Sequence, residues 1–314
     1  MTYSPNFFLV GAAKAGTTAL QQALGAHPDI YMSPLKEPNY FCTDIDPEKL
    51  TADLKGKLKA ENIEEWILSG MKEERWRAYI RDEKLYALLF AAALPTQITG
   101  EASVSYLHSS TAAENIFTAK PDAKIIIVLR NPAERAWSHY LMEERLGMTD
   151  RIFENAFNKA KEITSPMWGK NLLFLNAGLY NQQILRYKKF FSDKQIHFIL
   201  YDNYRKQPQE VLRNLYVFLG VDPSKADLSV ALKRSNEART GVFDKLIPNG
   251  YIKVKLRQFV KGIGIHTFLK KMLTKPSDRK PNEREKALLS DYYRNEIEDL
   301  QKTLNLDLSF WNKY

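Results

Sequence analysis

"FFLVGAAKAGTTALQQAL", residues 7–24, begins with four apolar residues, passes through a small-residue loop around one lysine, and runs into a helical pattern. Strand, small-residue loop and helix in that order aim backbone N–H groups and a helix N-terminus at an anion. Gly11 and Gly16 permit a tight loop and close approach of backbone to ligand. Lys14 adds a point charge, and the Thr17 and Thr18 hydroxyls add donors. A Walker A loop puts its lysine directly after the second glycine. Here the glycine spacing is kept, but Thr17 holds the lysine position and Lys14 lies inside the loop. The other reading of the stretch is a plain strand–helix connection with small residues for packing.

Working outward, short apolar runs at 7–10, 30–32, 97–99, 124–129 and 195–200 read as buried strands. Helical patterns follow Thr17, fill roughly 61–94, and cover 132–146, 180–191 and 209–219. This alternation predicts an α/β fold: a P-loop-like central parallel sheet with helices on both faces. We expect a single domain over 1–314, with a helical insertion at about 46–95, a basic helical excursion at about 241–282 and a C-terminal helix at about 283–304.

The chain has 46 Lys and Arg against 37 Asp and Glu, a net charge of +9 that favours anionic partners. Between Tyr251 and Lys275 there are seven basic residues and no acidic one. Ile252, Leu256, Phe259 and Ile263 share a helical face there, a pattern that packs on its own domain, faces an acidic acceptor or touches a membrane surface. Cys42 is the only cysteine, which leaves no disulfide framework and no cysteine zinc cluster. With no signal-peptide pattern and no transmembrane-length apolar run, the expectation is a soluble, cytoplasmic protein. No recognised nucleic-acid motif is present, and oligomeric state is not legible.

"KIIIVLRNPAERAWSHY", residues 124–140, carries a second anion signal. Arg130 stands at the C-terminal end of its strand, the edge where α/β sheets bind ligands. A Mg²⁺-dependent ATPase would want a carboxylate at such a strand end. Ser138 lies two helical turns further on, while Glu134 offers Arg130 an ordinary ion-pair partner. A Lys/Thr loop together with an Arg/Ser pair suggests a metal-free site for a ligand phosphorylated at both ends, such as adenosine 3′,5′-bisphosphate (PAP).

These two motifs resemble the 5′-phosphosulfate loop and the 3′-phosphate motif of sulfotransferases that use 3′-phosphoadenosine-5′-phosphosulfate (PAPS). The similarity is closest to the bacterial and Golgi carbohydrate branch of the heparan-sulfate type. "HPDI" at 27–30, "KEPNYF" at 36–41, "GEASVSYL" at 100–107 and "LYDNYRKQPQEVLRNLYVFLGVD" at 200–222 extend it over most of residues 7–222. The resemblance implies PAPS as sulfuryl donor, PAP as product, no metal, and a sugar or glycoconjugate acceptor, acidic in some readings. It assigns Lys14, Ala15, Gly16, Thr17, Thr18, Arg130 and Ser138 to the donor, with Tyr201 near the adenine and Arg239 reaching the 3′-phosphate from a late loop.

By the same resemblance Glu37 is the general base and Lys14 stabilises charge on the bridging oxygen and departing phosphate. Lys36, Glu101, His108 and Tyr180 fall near the acceptor or the transferred group, and His108 is the histidine that competes with Glu37 as base. Some carbohydrate relatives carry a lysine where Ala102 stands here, which leaves open how a charged acceptor is held. A variant P-loop nucleotide kinase or NTPase remains an alternative, as does a non-catalytic PAP-binding or basic interaction module.

Overall fold

The computed structural model describes residues 5–50, 55, 56, 58, 62–145, 147–163, 173–226 and 279–314. Its strands are β1 (Phe7–Gly11), β2 (Ile30–Met32), β3 (Leu35–Lys36), β4 (Arg75–Trp76), β5 (Ile98–Ala102), β6 (Lys124–Leu129) and β7 (Ile196–Leu200). Five of them form one parallel sheet in the order β2–β5–β1–β6–β7. In the central strand Phe7 stands opposite Gly100 and Lys124. Phe7, Phe8, Leu9 and Val10 are all buried, as a strand covered on both faces requires.

The helices are α1 (Thr17–Gly25), α2 (Ile63–Leu68), α3 (Glu83–Leu88), α4 (Ser105–His108), α5 (Ala112–Ala119), α6 (Pro132–Arg145), α7 (Phe153–Lys161), α8 (Tyr180–Phe190), α9 (Tyr201–Lys206), α10 (Pro208–Leu219) and α11 (Glu283–Leu304). The chain leaves β1 toward one edge of the sheet, through α1 to β2, and leaves β6 toward the other, through α6 to β7. Right-handed crossovers in opposite directions put their helices on opposite faces. The crevice between the C-terminal ends of β1 and β6 is therefore the topological switch point, where such sheets take ligands. Both motif loops open there.

The expected insertion departs from a purely helical reading. Its described residues hold α2, α3 and also β4, which pairs in parallel with β3 through Leu35–Arg75 and Lys36–Trp76. Gly70 and Met71, both with left-handed backbones, follow α2 and turn the chain into that strand. The C-terminal helix has the expected bounds, and its start is set chemically. Asn282 Oδ1 accepts from Glu285 N–H at 2.9 Å while Glu285 Oε2 accepts from Asn282 N–H at 2.8 Å, a reciprocal capping box. Arg239, the basic segment 251–275 and all of the 241–282 excursion except 279–282 lie outside the described residues. Among the described residues no helix is long and apolar enough to cross a membrane.

Candidate active site

The small-residue loop is tied to the neighbouring strand as it leaves β1: Ala12 N–H donates to the Val128 carbonyl at 2.8 Å. Lys14 follows in a left-handed conformation, and Ala15 is buried with its N–H on the Ala12 carbonyl at 3.2 Å. Gly16, at φ 86°, is the N-cap residue of α1, and no side chain caps that helix. The first-turn N–H groups therefore await an acceptor, with Thr17 buried and Thr18 half-buried beside them. A Cβ at residue 16 would come within 2.9 Å of the Tyr201 ring. An uncapped helix start behind a cradle that only glycine leaves open fits an anionic group.

Arg130, at the end of β6, reaches back to this loop: its Nη1 donates to the Lys14 carbonyl at 3.2 Å. Its Nε and Nη2 donate to Glu134 Oε2 at 3.2 and 3.1 Å, the ion pair open to it in the sequence. Its guanidinium lies 5.0 Å over the Tyr201 ring, so Tyr201 is held between Gly16 and Arg130. Ser138 is half-buried one turn beyond Glu134 on the same face of α6. Tyr180, expected near the acceptor, is fully buried and donates its hydroxyl to the Arg130 carbonyl at 2.9 Å. Burial pushes its phenol up to about 12, so it stays a neutral donor. Its role is to prop the arginine.

Glu37 follows β3 with a left-handed backbone, as do Asn39 and Arg77. Left-handed non-glycine residues are uncommon, and strained positions of this kind cluster at functional sites. Asn39 holds the turn by donating its amide to the Glu37 and Ala78 carbonyls, both at 2.8 Å, and by accepting from Ser105 Oγ. Arg81 clamps the following segment through the carbonyls of Asn39, Cys42 and Ile45. The Glu37 carboxylate receives Lys36 Nζ at 3.0 Å and Arg77 Nε at 3.3 Å. Burial pushes the carboxyl up, but these two cations outweigh it and hold it at about 2. Lys36 is itself buried, its charge against Glu37 and 5.2 Å from the Trp76 ring. Ala102, where some relatives of the resembled family carry lysine, is buried and accepts from the Glu37 N–H at 2.8 Å. The second cation beside Glu37 comes from the insertion.

Glu101 is fully buried rather than facing an open acceptor site. Its carboxyl accepts from Ser103 Oγ at 2.6 Å, from Tyr106 Oη at 3.1 Å and from Tyr86 Oη. Burial raises it to about 7 against those three donors. His108 is buried as well, and burial, then Arg186 and Arg135, lower it to about 4. It is neutral near pH 7 and enclosed.

Sequence reasoning passed over Arg77, Asn39 and a buried row on α6. In that row Arg135 Nη1 lies 3.2 Å from His139 Nδ1, and His139 Nε2 lies 3.5 Å from Glu143 Oε1. Burial, then Arg135 and Lys14, push His139 well below its ordinary value and keep it neutral behind the loop. The spacing of four residues between its members was the available signal. Arg77 had none, because only strand pairing forty residues away brings it to Glu37.

Residues 5–225 match the model of the family described as "Sulfotransferase family". Among curated proteins, the mouse bifunctional heparan sulfate N-deacetylase/N-sulfotransferase 4 is 28% identical across 96% of this chain and 30% of its own length. The mouse carbohydrate sulfotransferase 15 is 22% identical across 75% of this chain and 47% of its own. The chain thus spans less than half the length of these curated relatives. Among solved structures, a sulfotransferase from Alicyclobacillus acidocaldarius superposes with a TM-score of 0.67 at 28% identity, covering 98% of each chain.

Proposed function

The chain belongs to the sulfotransferase family, and from that premise we propose that it moves a sulfuryl group from PAPS to a hydroxyl of a carbohydrate or glycoconjugate, with Glu37 as general base. The observation that carries this reading is the meeting of the small-residue loop and the strand-end arginine at the switch point, joined by Arg130 Nη1 on the Lys14 carbonyl at 3.2 Å. The names of the curated relatives support the acceptor class.

PAPS supplies the sulfuryl group and the phosphate that leaves with the bond electrons. The uncapped N-terminus of α1, Lys14, Thr17 and Thr18 would hold its phosphosulfate end, and Arg130 with Ser138 its 3′-phosphate, beside the Tyr201 ring. Preorganised donors of this kind act where charge develops and cost no reorganisation during the reaction. Lys36 and Arg77 keep Glu37 ionised at physiological pH, ready to accept a hydrogen bond from the acceptor hydroxyl. The same pairing weakens it as a base. Arg77 is the more exposed of the two cations, and its displacement by a bound acceptor restores basicity.

The test is transfer of labelled sulfate from PAPS into a panel of glycans, glycolipids and phenols, run beside calorimetric PAP binding. Glu37→Gln is expected to keep PAP affinity and lose about 10²–10⁴-fold in turnover. Wild-type transfer confined to phenols would remove the carbohydrate claim. Undiminished turnover in the variant would remove Glu37 as base.

A further inference from the structure

Beside the catalytic groups a groove of about 500 Å³ runs along α1 to the edge strand β2, from Thr18 and Lys36 down to Gly25 and Gln97. Small-ligand sites commonly enclose about 300–1,000 Å³. Trp76 forms part of its lip and is 53% exposed. The Lys36 ammonium lies against that ring. At the groove wall Gln21 Oε1 is buried and has no hydrogen-bond partner among the described residues, an arrangement native structures rarely leave uncompensated. Among the described residues Lys36 is the sole basic one lining the groove, and its charge is engaged by Glu37, while Glu74 adds a negative charge to the rim.

We propose that this groove is an acceptor subsite for an uncharged sugar residue, resting on the sulfotransferase reading above. A pyranose ring offers an apolar face to an exposed indole and a rim of hydroxyls to amides. Gln21 and Gln22 line the same wall with two amides, and Gln21 Oε1, which no described residue pairs, gains a hydroxyl donor when its side chain turns toward a bound sugar. Sulfated or uronic acid residues are disfavoured, because Glu74 repels them and no cation other than the Glu37-paired Lys36 lines the groove among the described residues. Position links the subsite to the chemistry. Trp76 adjoins Arg77, Lys36 adjoins Glu37, and the pairing of β3 with β4 holds both couples together. A sugar seated on Trp76 therefore leads its neighbour in the glycan toward Glu37.

The test uses the full chain labelled with 5-fluorotryptophan, the Trp76 fluorine resonance being assigned with Trp76→Phe. Cellotriose, chitotriose, mannotriose and lactose are titrated to millimolar concentration, with and without saturating PAP, beside an unsulfated chondroitin tetrasaccharide. At least one neutral saccharide is expected to shift the Trp76 resonance saturably in both conditions, with the acidic tetrasaccharide weaker. Gln21→Leu should weaken that saccharide about tenfold, the usual effect of one hydrogen bond, and Trp76→Phe should leave PAP affinity unchanged. If PAP binds but no neutral saccharide moves the resonance, the subsite is refuted and the sulfotransferase reading stands. Competition by PAP would assign the groove to the donor, and tighter binding of the acidic saccharide would reverse the charge argument; either overturns the proposal. Failure of PAP itself to bind overturns the donor reading and this inference with it.

Discussion

Glu37 donates its backbone N–H to Ala102, the neighbour of Glu101, yet their surroundings drive the two carboxyls apart. Both are buried. Glu37 gains two cations and falls to about 2, whereas Glu101 gains only neutral hydroxyls and rises to about 7. A depressed carboxyl contributes stability above its unfolded pKa and loses it as pH falls through the folded value, so the Glu37 contribution is constant above about pH 5. A raised carboxyl does the reverse: its contribution is full below the unfolded value and is lost as pH rises through the folded one. Glu101 therefore costs roughly 3 kcal/mol of stability between about pH 4.5 and pH 7. Glu296, which burial also raises to about 7, titrates in the same window. Glu101→Gln is expected to flatten, without abolishing, the fall in urea midpoint between about pH 5 and about pH 7.5. An unchanged slope would contradict the Glu101 assignment. The carboxyls themselves are legible in "KEPNYF" and "GEASVSYL"; their opposite titration is not, because it depends on neighbours that local sequence does not specify.

At the scale of elements, the loop–α1 junction depends on one residue for two reasons. Gly16 has a left-handed backbone, and a side chain there would meet the Tyr201 ring at 2.9 Å. Gly16→Ala is expected to destabilise the fold by about 1–3 kcal/mol and to weaken PAP binding in the same preparation. Adding Tyr201→Ala should recover only part of the stability, since it removes the clash and leaves the backbone strain. Full recovery would mean that the conformation itself costs nothing. The elements fall into two groups by legibility. Long periodic segments such as α6 and α11 and the apolar run of β6 keep the bounds expected of them to within a residue, because their own patterning determines them. The two-residue strands β3 and β4 have no pattern long enough to read and exist through pairing with each other. Their consequence is large, since they bring Arg77 to the Glu37 carboxylate.

Across the whole molecule, the C-terminal segment supports the side of the crevice that holds Arg130 and Tyr201. The buried Trp311 accepts from Asn131 Nδ2 through its carbonyl at 2.9 Å and donates its indole N–H to Asp202 at 3.1 Å. These partners adjoin Arg130 and Tyr201. Trp311→Ala is expected to lower stability by about 3–5 kcal/mol and to reduce PAP affinity, with Trp311→Phe intermediate in both. Thermal melts and calorimetry check this, and a destabilised variant with wild-type PAP affinity would detach the segment from the site. The sequence alone determined the α/β class, the strand–loop–helix around Lys14, the strand-end arginine and the glutamate offered as base. Glycine spacing, short apolar runs and helical periodicity are local properties that survive in a single chain read end to end. Only the tertiary structure decided that Tyr180 props Arg130, that Glu101 and His108 are enclosed, and that Arg77 shares Glu37 with Lys36. Burial and charge pairing depend on distances through space, and the chain sets those only when its distant segments pack.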